Sequence, residues 1–184
     1  MDELRQLNKN HFLSLFRIDK LICLLIVTII FFLDRLSKIK IINLQIDNEL
    51  IYVNDFINFD LVWNTGIGFG LLSSNSNVVY NSITAIIGII LIILIIMILR
   101  SSFYEKLLFS LILGGALGNF YDRVVYFAVP DFIDIHYERF HWFTFNIADI
   151  FISLGIIILL LKDFLIKNVK KQKNINIICK YSFF

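Results

Sequence analysis

Residues 114–149 read GGALGNFYDRVVYFAVPDFIDIHYERFHWFTFNIAD, and the reading of this stretch decides the fold. It leaves a glycine-rich apolar segment through Asn119, Asp122 and Arg123. It then crosses a connection carrying Asp131 and re-enters an apolar segment through Asn146 and Asp149. Ionisable and amide side chains at the ends of membrane-type segments are costly to place there. They face a protein interior or a wet cavity and mark function. Several of them converging from two neighbouring segments is the strongest signal in the chain.

Composition sets the class around that stretch. The chain has 184 residues, 58% hydrophobic and only 17% charged, with a mean hydropathy of +0.79. A soluble domain carries about a quarter charged residues. The apolar residues gather in blocks, which implies a polytopic membrane protein with a single domain over residues 1–184. A net charge of +2 without a basic patch argues against a nucleic-acid partner. Cys23 and Cys179 fall in an apolar block and a polar tail, so no bridge between them is expected. His11, His136 and His141 stand outside any CxxC or HExxH spacing, so neither a metal nor another cofactor is expected.

Four spans are expected, over residues 18–36, 78–99, 107–121 and 143–161, with residues 1–20 suiting a short interfacial helix. No small-residue cleavage site follows the first span, so it reads as a retained helix rather than a leader. It ends in DRLSK, which sets Asp34 and Lys38 four apart on one helical face. They form either an interfacial ion pair or a pair that orients a site. The second span holds no charge and makes about 33 Å of helix. The third carries Gly114, Gly115 and Gly118, which let helix backbones approach closely. The fourth lines up Asn146, Asp149 and Ser153 on one face, with Asp149 about two turns inside.

Residues 39–77 form a β-rich loop. From Asn58 to Asn64, Phe59, Leu61 and Trp63 alternate with Asn58, Asp60, Val62 and Asn64. Open sheet edges do not survive in hydrocarbon, so this sheet belongs on the membrane surface. After it, Gly66, Gly68 and Gly70 permit a tight turn or the approach of another chain. The loop reads either as a peptide-binding element or as a structural turn.

The basic residues orient the bundle. Four precede the apolar run of the first span at Leu21, two lie between the second and third spans, and six follow the fourth, against Arg35, Lys38, Lys40, Arg123 and Arg139 elsewhere. The excess of positive charge places both termini in the cytoplasm. Asp34, Asn64, Asn119, Asp122, Asp131, Asn146 and Asp149 then all approach the outer boundary. Two carboxylates close together in low dielectric cannot both ionise cheaply. They share a proton, one activating water while the other polarises a carbonyl, which is peptide hydrolysis without a covalent intermediate. A substrate or proton pathway is the alternative use of such groups.

In motif order the chain resembles the lipoprotein signal peptidases (signal peptidase II). Asp34, Ser37 and Lys38 match an Asp-x-x-Ser-Lys motif, and Asn64, Gly66, Gly68 and Phe69 an Asn-x-Gly-x-small-Phe motif. Gly118, Asn119, Asp122 and Arg123 match Gly-Asn-x-x-Asp-Arg. Val129, Asp131 and Phe132 stand for a Val-Asp-Phe element split by Pro130, and Phe145, Asn146, Ala148 and Asp149 for Phe-Asn-x-Ala-Asp. Gly68, Pro130 and Ile150 depart from the commonest pattern. The resemblance implies an all-α transmembrane four-helix bundle with a small β-rich extracytoplasmic subdomain in the bacterial inner membrane. It implies a monomeric, metal-independent aspartyl endopeptidase, surrounded by membrane lipids, that cuts prolipoproteins just before a diacylglyceryl cysteine. Asp131 and Asp149 would be catalytic. Asp122 would hold Arg123, and Asp34, Lys38, Asn64, Gly66, Asn119, Arg123 and Asn146 would bind substrate or support the site. A small proton-coupled transporter and an inert lipoprotein-binding module are the rival readings.

Overall fold

The computed structural model describes residues 18–44, 50–66 and 77–181, with side chains through Leu165 and at Lys167. The proposed interfacial helix before residue 18, and Gly68, Phe69 and Gly70 of the glycine loop, lie outside the described residues. Among those residues the chain order is α1 (Ile18–Leu44), β1 (Ile51–Asn54), β2 (Ile57–Asn64), α2 (Asn77–Arg100), α3 (Phe103–Tyr126), β3 (Val129–Tyr137), β4 (Phe140–Phe145) and α4 (Ile147–Tyr181). It is a four-helix bundle carrying a four-stranded antiparallel sheet of order β1-β2-β3-β4.

α2 is apolar nearly all round, and Val78–Arg100 is long and apolar enough to cross a membrane. Most of its isoleucines are exposed, Ile92 at 60% and Ile89 at 58% among them. Such a surface is accommodated by lipid tails rather than water. α3 packs against all three other helices. Two of its glycines make that possible. A Cβ on Gly118 would collide with Asp34 Oδ2, and one on Gly115 would stand 2.5 Å from the Ala148 carbonyl oxygen. The second obstacle is backbone, which has nowhere cheap to go. Gly115→Ala is expected to force α3 and α4 apart and cost about 1–3 kcal/mol. Thermal unfolding in detergent checks this; an unchanged Tm would contradict the close packing of the two helices.

Three features differ from the sequence reading. α1 continues eight residues past 36, so the β-rich loop begins later than residue 39. The sheet draws half its strands from the segment after α3, because FHWFTF pairs with β3 instead of opening the fourth span. Aromatic and β-branched runs of that length suit strand and helix alike by hydropathy, and pairing decides between them. α4 therefore starts at Ile147, and Asp149 lies in its first turn rather than two turns inside. Finally, β2 holds one extra residue between Phe59, paired with Ile133, and Val62, paired with Asp131. That bulge breaks the strict alternation expected from Asn58 to Asn64. Asn58 shares a face with Asp134, while Asn64 comes round to the face of Asp131. Pro130 is tolerated in β3 because β4 pairs only from Ile133 onward, leaving the strand open on that side.

Candidate active site

Ten residues singled out by sequence form one unbroken hydrogen-bonded chain. It starts at Lys38, whose ammonium is fully buried and donates to Asp34 Oδ2 (2.7 Å), Asp122 Oδ2 (2.7 Å) and Asn119 Oδ1 (2.9 Å). Its three protons thus meet three acceptors. Asn119 passes on through its amide nitrogen to Asp149 Oδ1 at 2.8 Å. Asp149 Oδ2 accepts the Asn146 backbone N–H at 3.2 Å, and Asn146 Oδ1 accepts the Asp149 backbone N–H at 3.0 Å. This reciprocal pair is a capping box at the start of α4, and it fixes the carboxylate with respect to the helix end. Asp34 Oδ1 takes the next free N–H of that turn, from Ala148, at 3.0 Å.

From Asn146 the chain crosses to the sheet. Its amide nitrogen donates to Asp131 Oδ1 at 2.6 Å, and that of Asn64 donates to Asp131 Oδ2 at 2.8 Å. Neither amide can turn over freely, because Asn146 Oδ1 already holds the Asp149 N–H and Asn64 Oδ1 holds the Gly66 N–H at 2.8 Å. Both NH₂ groups are thereby committed to Asp131. The Gly66 carbonyl accepts from Arg123 Nη2, closing the chain. Burial, followed by the charge of Asp149, pushes the Asp131 carboxyl up to about 6, against the downward pull of the Asn64 and Asn146 bonds.

Asp131 and Asp149 stand at one end of a cavity of ≈ 340 Å³ that runs between the helices past Ile90, Leu94, Ile112 and Ile152. Arg123 also lines it, 4% exposed, with Nε and Nη1 lacking partners among the described residues. A slot with an apolar wall and two carboxylates at its end suits an apolar chain whose reactive bond is presented to those carboxylates.

One sequence expectation is corrected by this geometry. Asp122 does not hold Arg123: it pairs with Lys38 and with Arg35 Nη1, a residue the sequence reading did not single out. Neighbours on a helix point about 100° apart, so Asp122 and Arg123 could not face each other. Asp34 and Lys38 are 0% exposed, and of the two roles expected for them this geometry suits support of the site. Tyr80, also unmarked in sequence, donates its hydroxyl to the Arg123 carbonyl oxygen at 2.7 Å. His136 and His141 stack at 5.4 Å beside Asp134, on the strand face away from Asp131.

Bundle, sheet and buried carboxylates together define a helical membrane-type protein with an acidic site at the end of an apolar cavity. The family model for signal peptidase (SPase) II matches residues 26–165. A lipoprotein signal peptidase of Pelagibacter ubique (strain HTCC1062) is 48% identical over 154 residues, 82% of this chain and 93% of its own length. That of Anaplasma phagocytophilum (strain HZ) is 35% identical over 158 residues, 85% of this chain and 97% of its own. A solved bacterial membrane enzyme, determined by the in meso method at 2.3 Å, superposes with a TM-score of 0.66 and 32% identity, covering 77% of this chain and 88% of its own. The chain belongs to the signal peptidase II family, whose members are aspartic endopeptidases.

Proposed function

We propose that Asp131 and Asp149 share one proton and together activate the water that cleaves a prolipoprotein immediately before its diacylglyceryl cysteine. The enzyme acts on prolipoproteins within a membrane. The observation that carries the dyad reading is Asn146, which donates its side-chain amide to Asp131 and brackets Asp149 through the capping box. One residue thus holds both carboxylates at the mouth of the same cavity. The ionised member takes a proton from water as its oxygen attacks the scissile carbonyl carbon, and the protonated member supports the carbonyl oxygen as it gains charge. Collapse of the resulting gem-diol breaks the C–N bond. The amine leaves with a proton, and the pair is again singly protonated. The free Nε–H and Nη1–H of Arg123 are donors for substrate backbone carbonyls along the cavity, since a buried guanidinium needs its protons met.

The bundle sits in a bacterial inner membrane, crossing it four times with both termini in the cytoplasm. Supporting this, three of the five basic residues assigned outside, Arg35, Lys38 and Arg123, are buried in the site. Only Lys40 and Arg139 remain to face the outer surface, which sharpens the charge asymmetry. The cytoplasmic end is laced by Lys106–Asp19 and Lys162–Glu105 pairs.

Comparison of kcat/KM for lipidated and unlipidated forms of one prolipoprotein tests the substrate reading. The bare form is expected to be cut far more slowly, because burying acyl chains contributes about 0.8 kcal/mol per CH₂ and such remote binding serves the reacting centre. Equal values would remove the lipid from the recognition scheme.

A further inference from the structure

Arg35 fills an unspecified position of the Asp-x-x-Ser-Lys motif, yet it is firmly held. Its Nη1 pairs with Asp122 Oδ1, and its Nη2 donates to the Tyr126 hydroxyl at 3.2 Å. The guanidinium carbon lies 4.7 Å from the Tyr121 ring centre and 5.5 Å from that of Tyr126, so two aromatic faces of α3 clamp it. Arg35 itself is 6% exposed, and its partner Asp122 is fully buried. We infer that Arg35 is a positioning residue for the peptidase reaction: it neutralises Asp122 and so leaves the Lys38 ammonium free to hold Asn119 against Asp149.

Around Lys38 lie two buried carboxylates, Asp34 and Asp122, and Arg35 is the second cation that balances them. Lys38 spends two of its three protons on those carboxylates and the third on Asn119 Oδ1. That third bond orients the Asn119 amide so that its nitrogen donates to Asp149. Without Arg35, Asp122 carries an uncompensated buried charge that draws the ammonium toward itself and away from Asn119. The Asp149 carboxylate then loses its side-chain donor. The ionisable groups facing this route are Asp34 and Lys38 of α1, Asp122 of α3 and Asp149 of α4, with Asp131 of β3 and Arg123 of α3 at the same cavity. An added negative charge among them favours the protonated pair, so the activity profile moves to higher pH.

The inference rests on the dyad reading, and the experiment separates the two. Values of kcat and KM are measured against pH for Arg35→Leu, Arg35→Gln and Arg35→Lys on a lipidated prolipoprotein, with Asp149→Asn and Tm measured alongside. Arg35→Leu is expected to lower kcat about 10- to 100-fold, leave KM little changed and move the pH profile upward. Arg35→Lys, which keeps the charge, is expected to restore the profile and most of kcat. If Arg35→Leu does not fold, Arg35→Gln decides, since it keeps a donor for Asp122 but removes the charge. A wild-type pH profile in either neutral variant, or a loss confined to KM, overturns the inference while an inactive Asp149→Asn leaves the dyad standing. Turnover by a folded Asp149→Asn protein overturns both.

Discussion

Asp131→Asn and Asp149→Asn are each expected to abolish turnover, lowering kcat by about 10³-fold or more, with the double variant scarcely worse than either single one. The expectation follows from two carboxylates that share one proton: removing either ionisable group ends the pairing, and residues acting as a unit are strongly non-additive. Stability moves separately from activity, and with a definite sign. In the folded protein the Asp131 carboxyl titrates near 6, above its ordinary 3.8. The folded state therefore holds a proton that the unfolded state has lost between those values, and stability falls as pH rises through that window. The cost at neutral pH is about 3 kcal/mol. Asp131→Asn removes it but turns an amide toward Asn64 or Asn146, at about 1–3 kcal/mol. Relative to wild type, the variant should be less stable at pH 4 and gain as the pH is raised to 7. A well-folded Asp131→Asn enzyme with substantial turnover would move the second carboxylate role elsewhere.

Lys38→Met is expected to have the largest effect on folding. Its ammonium has no exposure and meets three acceptors, two of them carboxylates. Methionine fills most of the volume but leaves Asp34 and Asp122 buried with Arg35, bonded to Asp122, as the remaining cation beside them. Breaking a buried pair by removing one partner costs about 3–5 kcal/mol. Here the loss also frees Asn119, so residual folded protein should turn over slowly. Thermal unfolding and kcat in the same detergent read the two effects. A Lys38→Met protein with wild-type Tm would show that the buried charges do not depend on this ammonium.

Much of this site is legible in the chain because polar groups in apolar blocks are conspicuous. Asn119, Asp122, Asn146 and Asp149 stand out against isoleucine and leucine, and the glycines that admit Asp34 and Ala148 stand beside them. What one dimension hides is direction. Asp122 and Arg123 are adjacent in sequence and look like partners, but a helix turns them apart, and Arg35 arrives from another helix. Asn64 reaches Asp131 only because one extra residue in β2 reverses the strand's faces. FHWFTF carries enough apolar weight to read as membrane span until its partner strand is known. The Arg35–Asp122 and Asn64–Asp131 contacts depend on pairing between distant segments, which spacing along the chain does not encode.

Hydrolysis immediately before a lipid-bearing cysteine is the reaction proposed for this dyad. It is tested most directly by the masses of the products formed when the purified protein acts on a diacylglyceryl prolipoprotein in heavy-oxygen water. The expected result is two fragments: a signal peptide carrying one heavy oxygen in its new carboxylate, and a mature chain beginning with the lipidated cysteine. An uncut substrate, or a cut at any other bond, would contradict the account.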